Sequence, residues 1–414
     1  MRIHVVGIGA VGNFVAFHLR KSLHPRHSVV ALHRSETAKL ISDLPNGAPL
    51  SIERDGTLFS QDGLIHLPYG EPRNRVRRSD FAPASMDARD DPAVRQTIGP
   101  IDSLIVTSKA FAVRTIMRKL RHNLSRDSTI VLLHNGMGVY ETVIEDVYPD
   151  PNDRPNFVLC SNTHGLYSKG PLHSVHSAVG DIKLGIVPDP LGRRNYEASY
   201  AAASRPADAR LSLDDLANVS SEQPDGARYV NLRNTIAALL HAPGLCATWE
   251  PVTDVHIAMR RKLVVNAFVN PVSALLQCNN GGVLKSQYGR ATADRICREA
   301  EHVFRRQWSA EVNEQMLAHN PESGAEFQPA PFPRELNAQI MRREIQRVVE
   351  LTKNNYSSMY MDVKLRRPTE IDFLNGYLVR MGYRHKYRTI MNMSLMHLIK
   401  MRGAIPHAAH AVQS

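Results

Sequence analysis

The chain has 414 residues, of which 43% are hydrophobic and 22% are charged, and its formal net charge at pH 7 is +11. This length and composition are typical of a globular protein large enough for two domains. No apolar run approaches the ~20 residues that a membrane-spanning helix needs, so the sequence predicts no membrane association.

The cysteines and the charge narrow the class of protein further. Cys160, Cys246, Cys278 and Cys297 are scattered without metal-ligand spacing, which predicts free thiols and no metal site. No secretory signal precedes the first strand, so we expect an intracellular protein, either cytoplasmic or mitochondrial. The positive charge is compatible with anionic ligands, but no basic block is interleaved with aromatic residues, and this argues against a nucleic-acid partner.

The chain opens with a strand, a glycine-rich turn, a helix and a second strand. Residues 3–6 and 28–32 are apolar, β-branched runs, and residues 14–20 have helical periodicity. The turn has G-x-G-x-x-G spacing and consists of Gly7, Ile8, Gly9, Ala10, Val11 and Gly12. These glycines allow a tight turn, a close approach to a pyrophosphate and close helix packing. The segment therefore predicts a dinucleotide-binding unit whose helix N-terminus binds the phosphates.

The end of the second strand indicates which dinucleotide binds. An NAD site usually has Asp or Glu here for the ribose 2′-OH, whereas this strand ends in His33, Arg34 and Ser35. A guanidinium pairs well with a phosphate, and a hydrogen bond to a charged group contributes about 1.5–3 kcal/mol. Arg34 therefore predicts NADP(H) rather than NAD(H).

The mixed pattern of strands and helices continues to about residue 250. Further strands are predicted at residues 50–53, 57–60, 64–67, 102–107, 128–133, 157–161, 174–179 and 182–187, and helices at 111–122 and 231–241. Two irregular insertions are expected at about 44–100 and 188–228. The second is poor in large apolar residues, which predicts a loop or a partly disordered segment.

Helical periodicity dominates the rest of the chain. Helices are predicted at residues 255–276, 290–306, 333–353, 369–381 and 388–401. We therefore predict an α/β protein with a Rossmann-type dinucleotide-binding domain at 1–250, followed by an all-helical domain at 251–414 that binds substrate and carries the catalytic residues.

The first of these helices carries the most informative polar side chains. Lys262, Asn266 and Asn270 are spaced four residues apart and so share one face, while the intervening residues are apolar. Amine and amide groups on a largely buried helix need partners or a cleft to line. A lysine at the edge of a cleft loses hydration, which lowers its pKa and suits it to act as a general acid.

Other polar residues follow predicted strands or gather near the C-terminus. Lys109 and Asn135 follow two buried strands, and the carboxyl ends of parallel strands are where such sheets bind ligands. An Asn/Ser cluster at 354–358 and the segment 368–372 can cap helices or contact a small carboxylate.

These segments together resemble the ketopantoate reductase (2-dehydropantoate 2-reductase) family, particularly its larger fungal members. The matching segments follow the family order across most of the chain. The most specific are the helix around Lys262 and the spacing from Ser357-Ser358-Met359 to Thr369-Glu370-Ile371-Asp372. The two insertions exceed the compact bacterial pattern, which leaves the exact 2-oxo acid open.

The resemblance implies NADPH-dependent reduction of 2-dehydropantoate to (R)-pantoate, in the route to pantothenate and coenzyme A. It implies that Lys262 is the general acid and that Glu370 holds the substrate hydroxyl. The remaining roles it implies are cofactor contacts by Gly7–Gly12, Arg34, Lys109 and Asn135, and substrate contacts by Asn135, Lys262, Asn266, Asn270, Asn355, Ser358 and Glu370. Two alternatives remain: a reductase of another 2-oxo acid, or a retired reductase fold acting as a basic, RNA-associated interaction protein. A homodimer is also compatible with the sequence.

Overall fold

The computed structural model describes residues 1–42, 48–69, 97–192, 196–197, 211–216, 225–318 and 328–405. The chain divides into two compact units. The first comprises Met1–His134 and Val139–Val255, and the second comprises Asn135–Gly138 and His256–Ser414.

The first unit contains all twelve strands of the described chain. They are β1 (Arg2–Val6), β2 (Ser28–Arg34), β3 (Leu50–Arg54), β4 (Thr57–Gln61), β5 (Ile65–Tyr69), β6 (Ile101–Val106), β7 (Leu124–Leu132), β8 (Asn156–Asn162), β9 (Gly165–Gly170), β10 (His173–Ala178), β11 (Ile182–Ile186) and β12 (Ala247–Trp249). Every predicted strand is confirmed, with ends that differ by a few residues. Strands β9 and β12 were not predicted, because they lack a long apolar run.

The strands form an eight-stranded sheet in the order β12-β11-β8-β7-β6-β1-β2-β5 and a four-stranded sheet in the order β4-β3-β10-β9. In the large sheet every neighbouring pair is parallel except β8 and β11. From β1 the chain continues to β2 on one side and later to β6 on the other. The carboxyl ends of β1 and β6 therefore lie at the topological switch point, where sheets of this type bind ligands.

Within the described ranges, the first unit also contains five helices: α1 (Ala10–Ser22), α2 (Ser35–Ser42), α3 (Ala110–Leu120), α4 (Val139–Asp146) and α5 (Gly226–Leu240). Helix α1 follows the glycine-rich turn and buries Phe14, Val15 and Leu19 in the core. Its Asn13 side chain donates hydrogen bonds to the Ser51 and Leu172 carbonyl oxygens, at 2.9 and 3.1 Å. These bonds tie the helix to the small sheet. Helices α2 and α4 were not predicted.

The insertion at 188–228 contributes to the core more than its composition suggests. Tyr196, Leu211 and Leu216 are buried with the first unit's apolar residues, and the described part of the insertion before Asp225 has turns but no helix or strand. A few well-spaced apolar side chains are enough to anchor such a segment, although its average composition is polar. Residues 193–195, 198–210 and 217–224 of this insertion, and residues 70–96 of the insertion expected at about 44–100, lie outside the described residues.

The second unit is helical, as predicted. Its helices are α6 (Val252–Leu276, which begins in the last residues of the first unit), α7 (Gln287–Ala318), α8 (Ala338–Leu351), α9 (Ser358–Lys364), α10 (Asn375–Arg384) and α11 (Ile390–Ala404). The predicted helix at 369–381 is wrong at its start, because Leu374, with φ −104° and ψ −100°, separates a 3₁₀ turn at Ile371–Phe373 from α10. Helix α9 was missed. No helix in the described ranges is long and apolar enough to cross a membrane.

Candidate active site

The glycine-rich turn lies at the switch point and requires glycine at two positions. Gly7 has a φ of +93°, and a Cβ atom there would lie 2.3 Å from the Ser108 Oγ. A Cβ atom on Gly12 would lie 2.4 Å from the Gly7 carbonyl oxygen and 2.6 Å from the Thr107 Oγ1. Neither contact is compatible with van der Waals radii. The end of β1, the start of α1 and the segment after β6 therefore pack backbone against backbone.

The first turn of α1 has the features of a phosphate-binding helix end. Gly9 is the N-cap residue, is exposed, and donates its N–H to the Gly7 carbonyl oxygen at 2.7 Å. No side chain in the described chain caps this helix end. The first N–H groups, those of Ala10, Val11 and Gly12, have no carbonyl of their own helix to bond. The cradle therefore fits a pyrophosphate. Ile8 is half-buried in the same turn.

Two further predicted cofactor residues follow strands of the same sheet. Lys109 is half-buried and is the N-cap residue of α3, directly after the Ser108 that contacts Gly7. Arg34 is exposed at the end of β2, and its neighbour in the parallel pair with β5 is Tyr69. The Arg34 side chain hydrogen-bonds the Tyr69 hydroxyl; burial raises the pKa of Tyr69, and the arginine acts in the opposite direction. Tyr69 was missed because strand pairing across 35 residues leaves no local signal.

A second cluster forms around Lys262 in the helical unit. The Lys262 Nζ donates a hydrogen bond of 2.9 Å to the Asn135 Oδ1, and both residues are half-buried. Asn266 is half-buried and Asn270 is 9% exposed, one and two turns further along α6. The neighbouring residues Leu263, Val264 and Phe268 are buried in the helical core. The core thus fixes α6, while its polar face carries the amine and both amides.

The segment Asn135–Gly138 joins Lys262 to the turn that follows Glu370. The Met137 N–H donates to the Phe373 carbonyl oxygen at 2.9 Å, and the Phe373 N–H donates to the Glu370 carbonyl oxygen at 2.9 Å. Gly136 has a φ of +85°, and a Cβ atom there would lie 2.6 Å from the Phe373 oxygen. Glu370 itself is 4% exposed. The segment Asn135–Gly138 thus makes one hydrogen bond with Lys262 and one with Phe373, and so it connects Lys262 with the turn that follows Glu370.

The predicted residues of the Asn/Ser cluster lie at its surface. Asn355 is exposed, and its carbonyl oxygen accepts a hydrogen bond from the Asn280 N–H at 2.9 Å; Ser358 is exposed in the first turn of α9. The buried hydroxyl belongs instead to Ser357, which caps α9 through the Tyr360 N–H at 3.0 Å and lies 2.7 Å from the Ser273 Oγ of α6. The expected capping by this cluster is therefore confirmed, with Ser357 as the capping residue.

No group of three His, Cys, Asp or Glu side chains within the described residues is arranged to hold a metal ion. The glycine-rich turn offers backbone N–H groups for phosphates, and the cluster around Lys262 offers the lysine amine and the neighbouring asparagine amides.

Comparisons with known proteins agree with this architecture. The family model described as ketopantoate reductase PanE/ApbA matches residues 3–189, and its C-terminal counterpart matches residues 254–403. A 2-dehydropantoate 2-reductase of Vibrio cholerae is 26% identical over 401 residues, covering 97% of each chain, and a probable 2-dehydropantoate 2-reductase of Schizosaccharomyces pombe is 24% identical over 411 residues, covering 99% of each chain.

Solved structures share the fold at lower sequence identity. A PanE/ApbA family ketopantoate reductase from Ralstonia eutropha has a TM-score of 0.62 and 16% identity, with coverage of 98% of this chain and 99% of that one. A D-mandelate dehydrogenase solved with NADH and anilino(oxo)acetate has a TM-score of 0.63 and 17% identity, with coverage of 98% of each chain. The two family models span most of the sequence, and the chain therefore belongs to the ketopantoate reductase family of oxidoreductases.

Proposed function

We propose that this protein reduces 2-dehydropantoate to (R)-pantoate with NADPH, the reductive step on the way to pantothenate and coenzyme A. The observation that carries the proposal is the hydrogen bond between Lys262 and Asn135, next to the Glu370 turn, in a chain that matches both family models. The relatives named 2-dehydropantoate 2-reductase support this substrate. The proposal assigns residues 1–250 to cofactor binding and 251–414 to substrate binding and catalysis, in either the cytoplasm or the mitochondrion.

Lys262 is the proton donor in this proposal. The bound nicotinamide would supply a hydride to the 2-oxo carbon, which leaves a developing negative charge on the carbonyl oxygen. The Lys262 ammonium donates its proton to that oxygen and stabilises the charge beforehand. Asn135 holds the amine in position, because its Oδ1 accepts one of the three ammonium protons at 2.9 Å.

The neighbouring residues orient the substrate. Glu370, as a carboxylate, accepts a hydrogen bond from the substrate hydroxyl. The Asn266 and Asn270 amides, on the same helix face as Lys262, donate to the substrate carboxylate, and the more exposed Asn355 and Ser358 complete this set.

NADP(H) is the proposed dinucleotide. The glycine cradle fits the pyrophosphate, Lys109 and Asn135 contact the cofactor, and Arg34 pairs with the 2′-phosphate. Tyr69, at the end of β5, holds the guanidinium in place through the hydrogen bond to its hydroxyl. Because a charge-assisted bond contributes about 1.5–3 kcal/mol, Arg34→Ala is expected to raise the KM for NADPH about 10- to 150-fold while leaving the KM for NADH unchanged. An equal effect on both cofactors contradicts this role.

The deciding experiment is the rate of NADPH oxidation with ketopantoate by the purified wild type and by Lys262→Ala. Loss of a general acid is expected to lower kcat about 10²- to 10⁴-fold. The exposed Lys285 of the same unit offers a matched control, Lys285→Ala, which should retain wild-type kcat. Equal rates for wild type and Lys262→Ala would contradict the role of Lys262 as the general acid. A folded wild type that reduces no 2-oxo acid would contradict the proposed function.

A further inference from the structure

The helix that carries Lys262 contains a proline, and this leaves one carbonyl oxygen without its helical partner. Pro271 lies inside α6. Proline has no N–H, so the carbonyl oxygen four residues earlier, that of Ala267, cannot receive the usual hydrogen bond. Ala267 is fully buried, and an unpaired carbonyl oxygen there would be costly.

A side chain from another helix replaces the missing donor. The Asn375 Nδ2, at the start of α10, donates to the Ala267 oxygen at 2.9 Å and to the Asn392 Oδ1 at 3.0 Å. Both partners are acceptors, so the amide orientation of Asn375 is determined. Asn392 in turn donates its Nδ2 to the Glu299 Oε2 at 2.9 Å, and all three of these polar residues are fully buried.

The gap in α6 lies on the buried side of the helix, at the same level along its axis as part of its polar face. The missing bond would link residues 267 and 271, and so it belongs to the turn that follows Asn266 and contains Asn270. Lys262 and Asn266 precede this turn, whereas Asn270 lies at its far end. Proline allows a helix to bend at such a point, so the donor that replaces the bond fixes how the two halves of the polar face are aligned.

Asn375 also belongs to the segment that carries Glu370. Only the 3₁₀ turn Ile371–Phe373 and Leu374 separate the two residues. One amide thus ties the segment of the proposed hydroxyl-binding carboxylate to the middle of the helix of the proposed acid. Phe373, in the same turn, anchors the segment that carries Asn135.

We propose that Asn375 is a positioning residue for the reaction: by replacing the N–H that Pro271 lacks, it aligns Lys262, Asn266 and Asn270 with the Glu370 segment. This inference rests on the proposed function for its kinetic consequence, but its structural basis can be tested without substrate. Pro271→Ala restores a backbone N–H to the helix, and this variant should therefore make the bond from Asn375 to the Ala267 oxygen dispensable.

The test is a double-mutant cycle of Asn375→Leu and Pro271→Ala. The matched control is Gln307→Leu, since Gln307 is also a buried amide of this unit, but its Nε2 donates to the Tyr377 hydroxyl at 3.1 Å rather than to α6. Asn375→Leu is expected to lower kcat about 10- to 100-fold, because displacing a catalytic group by about 1 Å has effects of this size. Adding Pro271→Ala should restore most of that loss, and Gln307→Leu should change kcat less than about threefold.

Hydrogen exchange of peptides covering residues 262–276 gives a second measurement, without substrate. Exchange should be faster in Asn375→Leu, return toward wild type in the double variant, and stay unchanged in Gln307→Leu. This measurement stands even when ketopantoate is not the substrate, so failure of the proposed function is distinguishable from failure of the inference.

The inference is overturned when the Asn375→Leu defect is the same with and without the Pro271→Ala substitution, or when Gln307→Leu reproduces it. Should Asn375→Leu alone not fold, the double variant decides: recovery of folded protein supports the compensation, and no recovery overturns it.

Discussion

Substitutions at Asn135 test whether the ionisation of Lys262 controls the reaction. The Asn135 Oδ1 accepts a 2.9 Å hydrogen bond from the Lys262 Nζ, which favours the charged amine. Asn135→Ala should therefore make the protonated amine less stable and move the alkaline limb of the pH–rate profile to lower pH.

Asn135→Asp should have the opposite effect. It places a carboxylate at nearly the same distance from the amine, and an opposite charge this close shifts a pKa by about one to three units toward the charged form. The protonated acid then persists to higher pH, so the alkaline limb moves up by that amount. Asparagine and aspartate differ little in size, and the sign of the shift therefore separates electrostatics from loss of shape.

The assay is kcat/KM for ketopantoate between about pH 6 and pH 11 at saturating NADPH. The exposed Asn354 provides a control, Asn354→Asp, which adds the same charge to the helical unit and should leave the limb unmoved. Limbs that coincide in the two Asn135 variants, or that move in the same direction, would falsify the assignment of Lys262 as the general acid.

Two further predictions concern the first unit. In Gly12→Ala, the new Cβ would lie 2.4 Å from the Gly7 oxygen, and overpacking of this kind costs about 1–3 kcal/mol. Fluorescence titration should therefore show that this variant binds NADPH about 5- to 150-fold more weakly than the wild type. Gly403→Ala is the control and should bind NADPH normally, because a Cβ atom at Gly403 meets open space. Burial lowers the pKa of His4 and of His33 from 6.5 to about 4, so both stay neutral in the folded protein while the unfolded chain takes up protons below pH 6.5. The stabilisation from these two neutral histidines is complete above about pH 6.5 and falls as the pH drops toward 4. Urea unfolding should therefore show that the free energy of unfolding is lower at about pH 5 than at about pH 7.5, by about 2 kcal/mol for each histidine. His33→Gln should remove the part of this loss that is due to His33, and equal stability at the two pH values would contradict the linkage.

The features that the sequence predicted are those set by local chemistry. The glycine-rich turn was predictable because the requirement at Gly7 and Gly12 is a property of one βαβ unit. The face shared by Lys262 and Asn266 follows from helical spacing alone. The pairing of β3 with β10 was not predictable, because the partners lie more than 110 residues apart and their register depends on the folded chain.

Asn375 shows the same limit of prediction from sequence within the candidate active site. Pro271 is plainly visible in the sequence, and so is the carbonyl oxygen it leaves without a partner. Which residue supplies the donor is a different question, because Asn375 follows Ala267 by 108 positions and reaches it only after α10 has packed on α6. A sequence can therefore show that a buried carbonyl oxygen needs a donor without showing where the donor comes from.

The proposed site depends on backbone geometry as much as on its polar side chains. Gly7 brings β1 against the segment after β6, Gly136 lets the Asn135 segment approach Phe373, and Pro271 creates the acceptor that Asn375 binds. None of these glycines or this proline offers a functional group to a substrate. A survey that replaced only polar residues with alanine would therefore overlook them, although each fixes where a proposed catalytic or binding group stands relative to its neighbours. Substitutions at such positions should change rates while every functional side chain is still present, and that separates positioning from chemistry in this protein.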